Sequence, residues 1–312
     1  MNHQTTAVRP FFSSALRVLW VFVLLAGSSS GARAFTCKVP ATGQTMTSGS
    51  ADVHVNLTPN INPGQNLVVD LSNSIVCKND SRNGKTIDYI NLTSGSAFGG
   101  ALASFSGNVD WAGNISPLPL YRNSAVYVIT HTDFRGLPMR VYLTPIGAAG
   151  GIVIRSGELI ARLNMHKVAS NGNPKDFTWN IYASNNVVVP TGGCDVSARN
   201  VTVTLPEYPG TAAIPLTVRC AQNQNLGFYL SGTTVDTAGS VFRNAASGSP
   251  AQGIGVQLSR NGSVMRTNTT ESLGTVGTSP VSLGLTASYA RTTGQMTAGN
   301  VQSIIGVTFV YL

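Results

Sequence analysis

Val301-Gln302-Ser303-Ile304-Ile305-Gly306-Val307-Thr308-Phe309-Val310-Tyr311-Leu312 closes the chain, and its period decides what kind of fold the rest must have. From Gly299 onward, Val301, Ser303, Ile305, Val307, Phe309 and Tyr311 fall on every second position, which places them on one face of an extended strand. The same alternation recurs upstream. In Asp52-Val53-His54-Val55-Asn56-Leu57 every second residue is apolar. Asn66-Leu67-Val68-Val69-Asp70-Leu71, Val126-Tyr127-Val128-Ile129 and Arg140-Val141-Tyr142-Leu143 are further short runs bounded by Gly, Pro, Asn or Ser. No stretch carries a helical period with caps beyond a turn or two. Short strands separated by turn residues predict an all-β chain built of antiparallel sandwiches.

At the other end, Arg9 and Arg17 lead into an apolar run from Val18 to Ala26, and Ala32-Arg33-Ala34 follows. A basic region, a short apolar core and an A-x-A site make residues 1–34 a secretory signal peptide. The apolar run is too short to span a bilayer. Cleavage would free the amine of Phe35, two residues before Cys37. The leader takes three of the 20 basic residues with it, which against 12 acidic ones leaves a modest net charge of +5. The remaining Lys and Arg are scattered, with no run that could track a phosphate backbone, so nucleic acid is excluded as a partner. Charged residues make up only 10% of the chain. Its surface is therefore one of hydroxyls and amides, as suits an exported β-protein.

All four cysteines, Cys37, Cys77, Cys194 and Cys220, lie in the exported part. An even number in an oxidising compartment predicts disulfides. Three pairings are open, and nearness in sequence favours Cys37–Cys77 and Cys194–Cys220. A metal site has no C-x-x-C or Cys/His cluster to rest on, and no cofactor is expected. Between the run Val187-Val188-Val189 and Cys194, the break Pro190-Thr191-Gly192-Gly193 predicts a domain boundary. The expected division is 35–189, a linker at 190–192, and 193–312. A linker so short lets the two halves tilt against each other without drifting apart.

Taken alone, the last strand is an ordinary terminal strand. With its leading Gly299, alternating apolar residues and penultimate Tyr311, however, it resembles the C-terminal motif of chaperone–usher pilus subunits. Pro190-Thr191-Gly192-Gly193-Cys194-Asp195-Val196-Ser197-Ala198-Arg199, Val201-Thr202-Val203-Thr204-Leu205-Pro206, Ser231-Gly232-Thr233-Thr234 and Ser249-Pro250-Ala251-Gln252-Gly253 are similar to the pilin domain of type 1 pilus tip adhesins. The resemblance covers essentially the whole mature chain. It implies an N-terminal jelly-roll-like lectin sandwich followed by an incomplete immunoglobulin-like pilin domain that lacks its last strand. A periplasmic pilus chaperone would lend that strand beside Ile305, Val307, Phe309 and Tyr311. After passage through the outer-membrane usher, an adjacent tip pilin subunit would replace it by β-strand addition. Cys37 follows the cleavage site too closely to leave an N-terminal arm, so such a chain accepts a strand without donating one and belongs at the tip of a fimbria on the bacterial surface.

The same resemblance implies a sugar site for host glycoconjugates at the far end of the first domain. Phe35 matches the N-terminal residue whose amine contacts sugar hydroxyls in mannose binders. Asn79 and Asp80, in Cys77-Lys78-Asn79-Asp80, match the loop that lines that site, and Asp88 matches its further aspartate. The third segment, His166-Lys167-Val168-Ala169-Ser170-Asn171-Gly172-Asn173-Pro174-Lys175, departs from mannose binders. It is more similar to Fml-type adhesins, which take terminal galactose and N-acetylgalactosamine. Lys167 matches a site Lys of that branch, Asn173 its Asn, and Lys175 stands in place of an Arg. Gly147-Ala148-Ala149-Gly150-Gly151 and Phe177-Thr178-Trp179-Asn180 resemble that branch too. Lys175 lacks the planar bidentate fork of Arg, and Ser81 stands where an aromatic ring would pack on the sugar. The expected ligand is therefore terminal galactose or N-acetylgalactosamine, with a mannose-specific adhesin or a non-lectin structural tip subunit as alternatives. A structural subunit would be one sandwich with an N-terminal arm, and this chain has neither feature.

An enzyme would need a nucleophile, base or metal. After the leader only His54, His131 and His166 remain, without an H-E-x-x-H. The G-x-S-x-G match at Gly27–Gly31 lies inside the signal peptide. Asp80 and Asp88 would have to flank a glycosidic bond from one short loop to act as a glycosidase pair. No enzymatic activity is expected. Trp111 and Trp179 are expected in the sandwich core.

Overall fold

The computed structural model describes residues 35–81 and 85–312; the signal peptide expected over 1–34 lies outside them. The described chain is all strand, with a single short 3-10 turn at Gly100–Leu102. The expected alternation is what the strands show. In Gly49–Val55, Ala51, Val53 and Val55 are buried and the residues between them exposed. Trp111 and Trp179 are both fully buried in the first core.

That core lies between two larger sheets. One orders Tyr127–Ile129, Asp88–Leu92, Leu159–Ala169, Lys175–Ala183 and Gly49–Val55, and the other Asn114–Leu118, Gly107–Trp111, Met139–Leu143, Gln65–Asp70 and Asn60–Asn62. Pairing within them is antiparallel except where Gly49–Val55 runs parallel to Lys175–Ala183. A smaller sheet, Arg135–Gly136, Val76–Asn79, Phe35–Lys38 and Thr45–Met46, carries the N-terminal strand. Cys37 and Cys77 stand opposite each other in it and are joined by a disulfide. Cys194 and Cys220 are likewise register partners, joined by the second disulfide.

A second core, separate from the first, runs from Cys194 to Ala287. Two residues of the first half join it, Ala148 buried in it and Ala149 packed against it. The reason is local: the Cys194 amide donates to the Ala148 carbonyl at 2.8 Å, drawing the 147–151 loop onto the start of the second half. The terminal strand is shorter than its period suggests. Only Gly306–Tyr311 forms a ladder, antiparallel to Gln224–Ser231. From Val301 to Ile305 the alternation of half-buried and exposed residues continues. There, however, Asn244 replaces part of the ladder, its carbonyl oxygen accepting from the Gln302 amide and its side-chain amide donating to the Asn300 carbonyl. Beyond Gly306–Tyr311 the sheet has no further strand among the described residues, so this strand is an edge. Val301, Ile305, Val307 and Phe309 are only half-buried against the core beneath them.

The segment between the cores is less free than its Pro-Gly composition suggests. Pro190 ends the strand Val187–Pro190, which pairs with Gly151–Ile154. Thr191 donates to Gly150 at 3.0 Å and accepts from Ile146 at 2.6 Å. Asn66 is fully buried at an inward position of Gln65–Asp70, where alternation would place an apolar residue. Its amide nitrogen donates to the carbonyls of Pro190 and Gly192, at 2.9 and 2.8 Å. Gly192 is needed here because a Cβ would come within 2.5 Å of the Ala148 carbonyl oxygen. Asn66→Ala is expected to cost about 1–3 kcal/mol, since it leaves two buried carbonyls unpaired. It should also speed amide exchange at Thr191 and Cys194. An unchanged exchange rate there would mean that the 146–151 loop alone holds the segment.

Candidate functional site

One end of the first sandwich gathers polar groups where the alternation calls for apolar ones. In Leu159–Ala169 the inward positions are Ala161, Leu163, Met165, Lys167 and Ala169. Lys167 is fully buried among them. On the neighbouring strand Asp88 is equally buried, paired with Ala169 while Lys167 faces Ile90, so the two charges are diagonal neighbours on one face. The Lys167 ammonium lies 2.9 Å from Asp88 Oδ1. It also donates to the Asn173 carbonyl at 3.2 Å and sits 5.7 Å from the centre of the Phe35 ring. Phe35 packs edge-on against Phe177 at 5.6 Å, which fixes the ring over the lysine.

Neither Asp88 oxygen has a hydrogen-bond partner of good geometry among the described residues, so Lys167 acts on it as a counter-charge. Burial pushes the Asp88 carboxyl above the usual carboxylate range, while Lys167 pulls it back down. The negative charge of nearby Asp80 adds to the upward push.

The remaining residues singled out by sequence fall around this pair. Asn79 is register partner to Phe35. Its side chain is committed internally, donating to the Thr86 carbonyl at 2.7 Å and accepting from the Ser81 amide at 2.6 Å. It therefore shapes the turn that leads to Asp88. Asp80 accepts from the Thr36 hydroxyl at 2.5 Å through one oxygen and pairs with Lys78 at 2.9 Å through the other, with a small part of its side chain exposed. Asn173 reaches the pair through its backbone, as the carbonyl partner of Lys167. Lys175 stands directly across the hairpin from Lys167, half-buried. Sequence reasoning did not single out the 129–135 segment, which closes one side of the group. There the Asn79 amide donates to the His131 carbonyl at 2.9 Å, and Arg135–Gly136 pairs with Val76–Cys77. Its signal lay in register alone, which no local motif announces.

At the centre the Asp88–Lys167 pair is fully buried, while Asp80 and Lys175 at the rim are partly exposed and offer a carboxylate and an ammonium. Vicinal hydroxyls of a neutral, polyhydroxylated ligand match this mixture of donors and acceptors. Among the described residues no group of three or more His, Cys, Asp or Glu stands close enough to hold a metal ion.

Comparison with known proteins places both halves. Residues 37–180 match the family described as FimH, mannose binding, and residues 181–311 the family described as Fimbrial protein. The chain is 57% identical to the type 1 fimbrin D-mannose specific adhesin of Escherichia coli strain K12, over 95% of this chain and 99% of that one. It is 40% identical to the S-fimbrial protein subunit SfaH of Escherichia coli O6:K15:H31, over 89% and 97%. Among solved structures, the CupB6 tip adhesin from Pseudomonas aeruginosa aligns at 16% identity with a TM-score of 0.25, covering 82% of this chain and 88% of that one. With two family matches in tandem and two long relatives, the chain belongs to the FimH-like family of two-domain fimbrial tip adhesins.

Proposed function

We propose that residues 35–189 form a lectin domain that binds terminal galactose or N-acetylgalactosamine on host glycoconjugates. Residues 193–312 are its pilin domain, joined to it through 190–192. The protein works at the tip of a surface fimbria, as an adhesin and not an enzyme. Its partners in assembly are the periplasmic chaperone, the outer-membrane usher and the adjacent tip pilin, whose strand completes the sheet edge at Gly306–Tyr311. Ile305, Val307, Phe309 and Tyr311 are the residues that strand would meet.

The observation that carries the sugar class is Lys167, buried between Asp88 and the Asn173 carbonyl. Its ammonium lies beside an acceptor-only carboxylate beneath the wall of the site, in keeping with the site Lys of the galactose- and N-acetylgalactosamine-binding branch that this segment resembles. Phe35, Asn79, Asp80 and Asp88 supply the rest of the wall, with Lys175 at its edge. A second reading, mannose, is favoured by the 57% identity to an adhesin named as D-mannose specific. Individual sites of this kind are weak, and many fimbriae on one cell multiply them by avidity.

Glycan-array binding of the full exported chain decides between the two. Binding to terminal galactosides that is abolished in Asp88→Asn is the expected result. Binding to mannosides in their place would overturn the sugar class and leave the adhesin intact.

A further inference from the structure

Phe134 is a large apolar side chain held out at the tip, 38% exposed, on the 129–135 segment beside the sugar site. An isolated exposed phenyl is unremarkable in itself. This one is built in. The next two residues pair with the disulfide strand, Arg135 opposite Cys77 and Gly136 opposite Val76. Gly136 is pressed so close to the Ser72 carbonyl that a Cβ would overlap it at 1.8 Å, so only glycine lets the strand seat here. The Lys78 ammonium stands 5.1 Å from the ring centre and is itself tied to Asp80 at 2.9 Å. Asp80 in turn accepts from Thr36, the neighbour of Phe35. An unbroken line of contacts therefore runs from Phe134 through Lys78, Asp80 and Thr36 to the wall of the primary site.

We infer that Phe134, with Lys78 and Asp80, forms a second subsite that holds the next sugar of an oligosaccharide whose terminal residue lies against Asp88. This rests on the proposed lectin function. A pyranose presents an apolar face of C–H groups and an edge of hydroxyls. The phenyl ring receives the face, and the Lys78–Asp80 pair supplies a donor and an acceptor for the edge. Continuity with the primary site selects a sugar as occupant over a protein partner, because the patch is one ring wide and flanked by charge. Lys78 serves twice, as a cation on the ring and as the clamp on Asp80.

The test is calorimetric titration of the full exported chain with methyl galactoside and with a galactosyl disaccharide extended at its reducing end. Methyl mannoside and a mannosyl disaccharide are run in parallel. The native chain is expected to prefer the disaccharide to the monosaccharide by about 5- to 10-fold, the range of a single aromatic packing contact. In Phe134→Ala that preference should vanish while monosaccharide affinity stays unchanged, and Phe134→Trp should restore it. Equal loss for both ligands, or no loss for either, would overturn the subsite. Because the readout is a ratio within one sugar series, mannosides binding in place of galactosides would overturn the sugar class without touching this inference. Absence of binding to all four ligands would overturn both.

Discussion

Lys167→Met is expected to destabilise the first domain by about 3–5 kcal/mol at neutral pH, the cost of leaving a buried charge without its partner. Methionine matches the length of the lysine stem, so the change leaves little cavity and isolates the charge. Asp88 then keeps two buried oxygens with neither hydrogen bond nor counter-charge. It can remain in the folded state only by taking up a proton, and its carboxyl, already raised by burial, rises further. The folded state would then hold that proton more tightly than the unfolded chain does. The deficit is therefore smallest below the ordinary carboxylate value and grows as pH rises through the folded value. Urea midpoints of native and variant chains at acid and neutral pH measure this directly. Adding Asp88→Leu to Lys167→Met should recover most of the lost stability, because an apolar pair replaces a half-broken ionic one, while sugar binding stays absent. Equal midpoints for the native chain and the single variant at pH 7 would mean that the pair does not support the fold.

A fused complementary strand should have the opposite effect on the other domain. The second core leaves Val301, Ile305, Val307 and Phe309 half-buried, with Val196 and Val281 also incompletely covered. Completing the burial of the four residues of the terminal segment is worth on the order of 4 kcal/mol. For a domain of this size that corresponds to a rise in melting temperature of roughly 15 °C. The fusion should carry alternating apolar residues on a flexible tether after Leu312. Scanning calorimetry should show the second transition moving and the first one fixed. A tethered strand with aspartate at the alternating positions should leave both where they were. A second transition that ignores the apolar strand would mean that the edge at Gly306–Tyr311 needs no cover.

Much of this was legible in the residue order. Alternation located the strands because each sheet has one dry face, and the cysteines nearest in sequence turned out to be register partners. Phe35, Asn79, Asp80, Asp88 and Lys167 stand near one another at one end of the sandwich. What stayed hidden depended on pairing across distant strands. A lysine in a turn-rich region passes for a surface charge. Yet Lys167 continues the inward series Ala161, Leu163 and Met165, and that series could have betrayed its burial. Asn66 gave a similar signal, an amide in an apolar slot, but its partners lie more than a hundred residues away. Asn79 entered the site through the resemblance alone, and its hydrogen bonds to Thr86 and Ser81, which no local pattern announces, tie its side chain to the segment before Asp88. Phe134 had no local signal at all.

The bond between Cys37 and Cys77 fastens the first strand of the domain beside the turn that bears Asn79 and Asp80. Phe35 is held by its pairing with Asn79 and by packing on Phe177, at the end of a strand that is also paired with Thr45–Met46. Under reducing conditions that strand would keep its two short ladders and its buried side chains but lose its covalent tie to the segment that bears Asn79 and Asp80. Competence to adhere would thus be lost before foldedness. On the proposed sugar site, closure of this disulfide would then be a maturation step, and sugar binding compared before and after reduction would measure it.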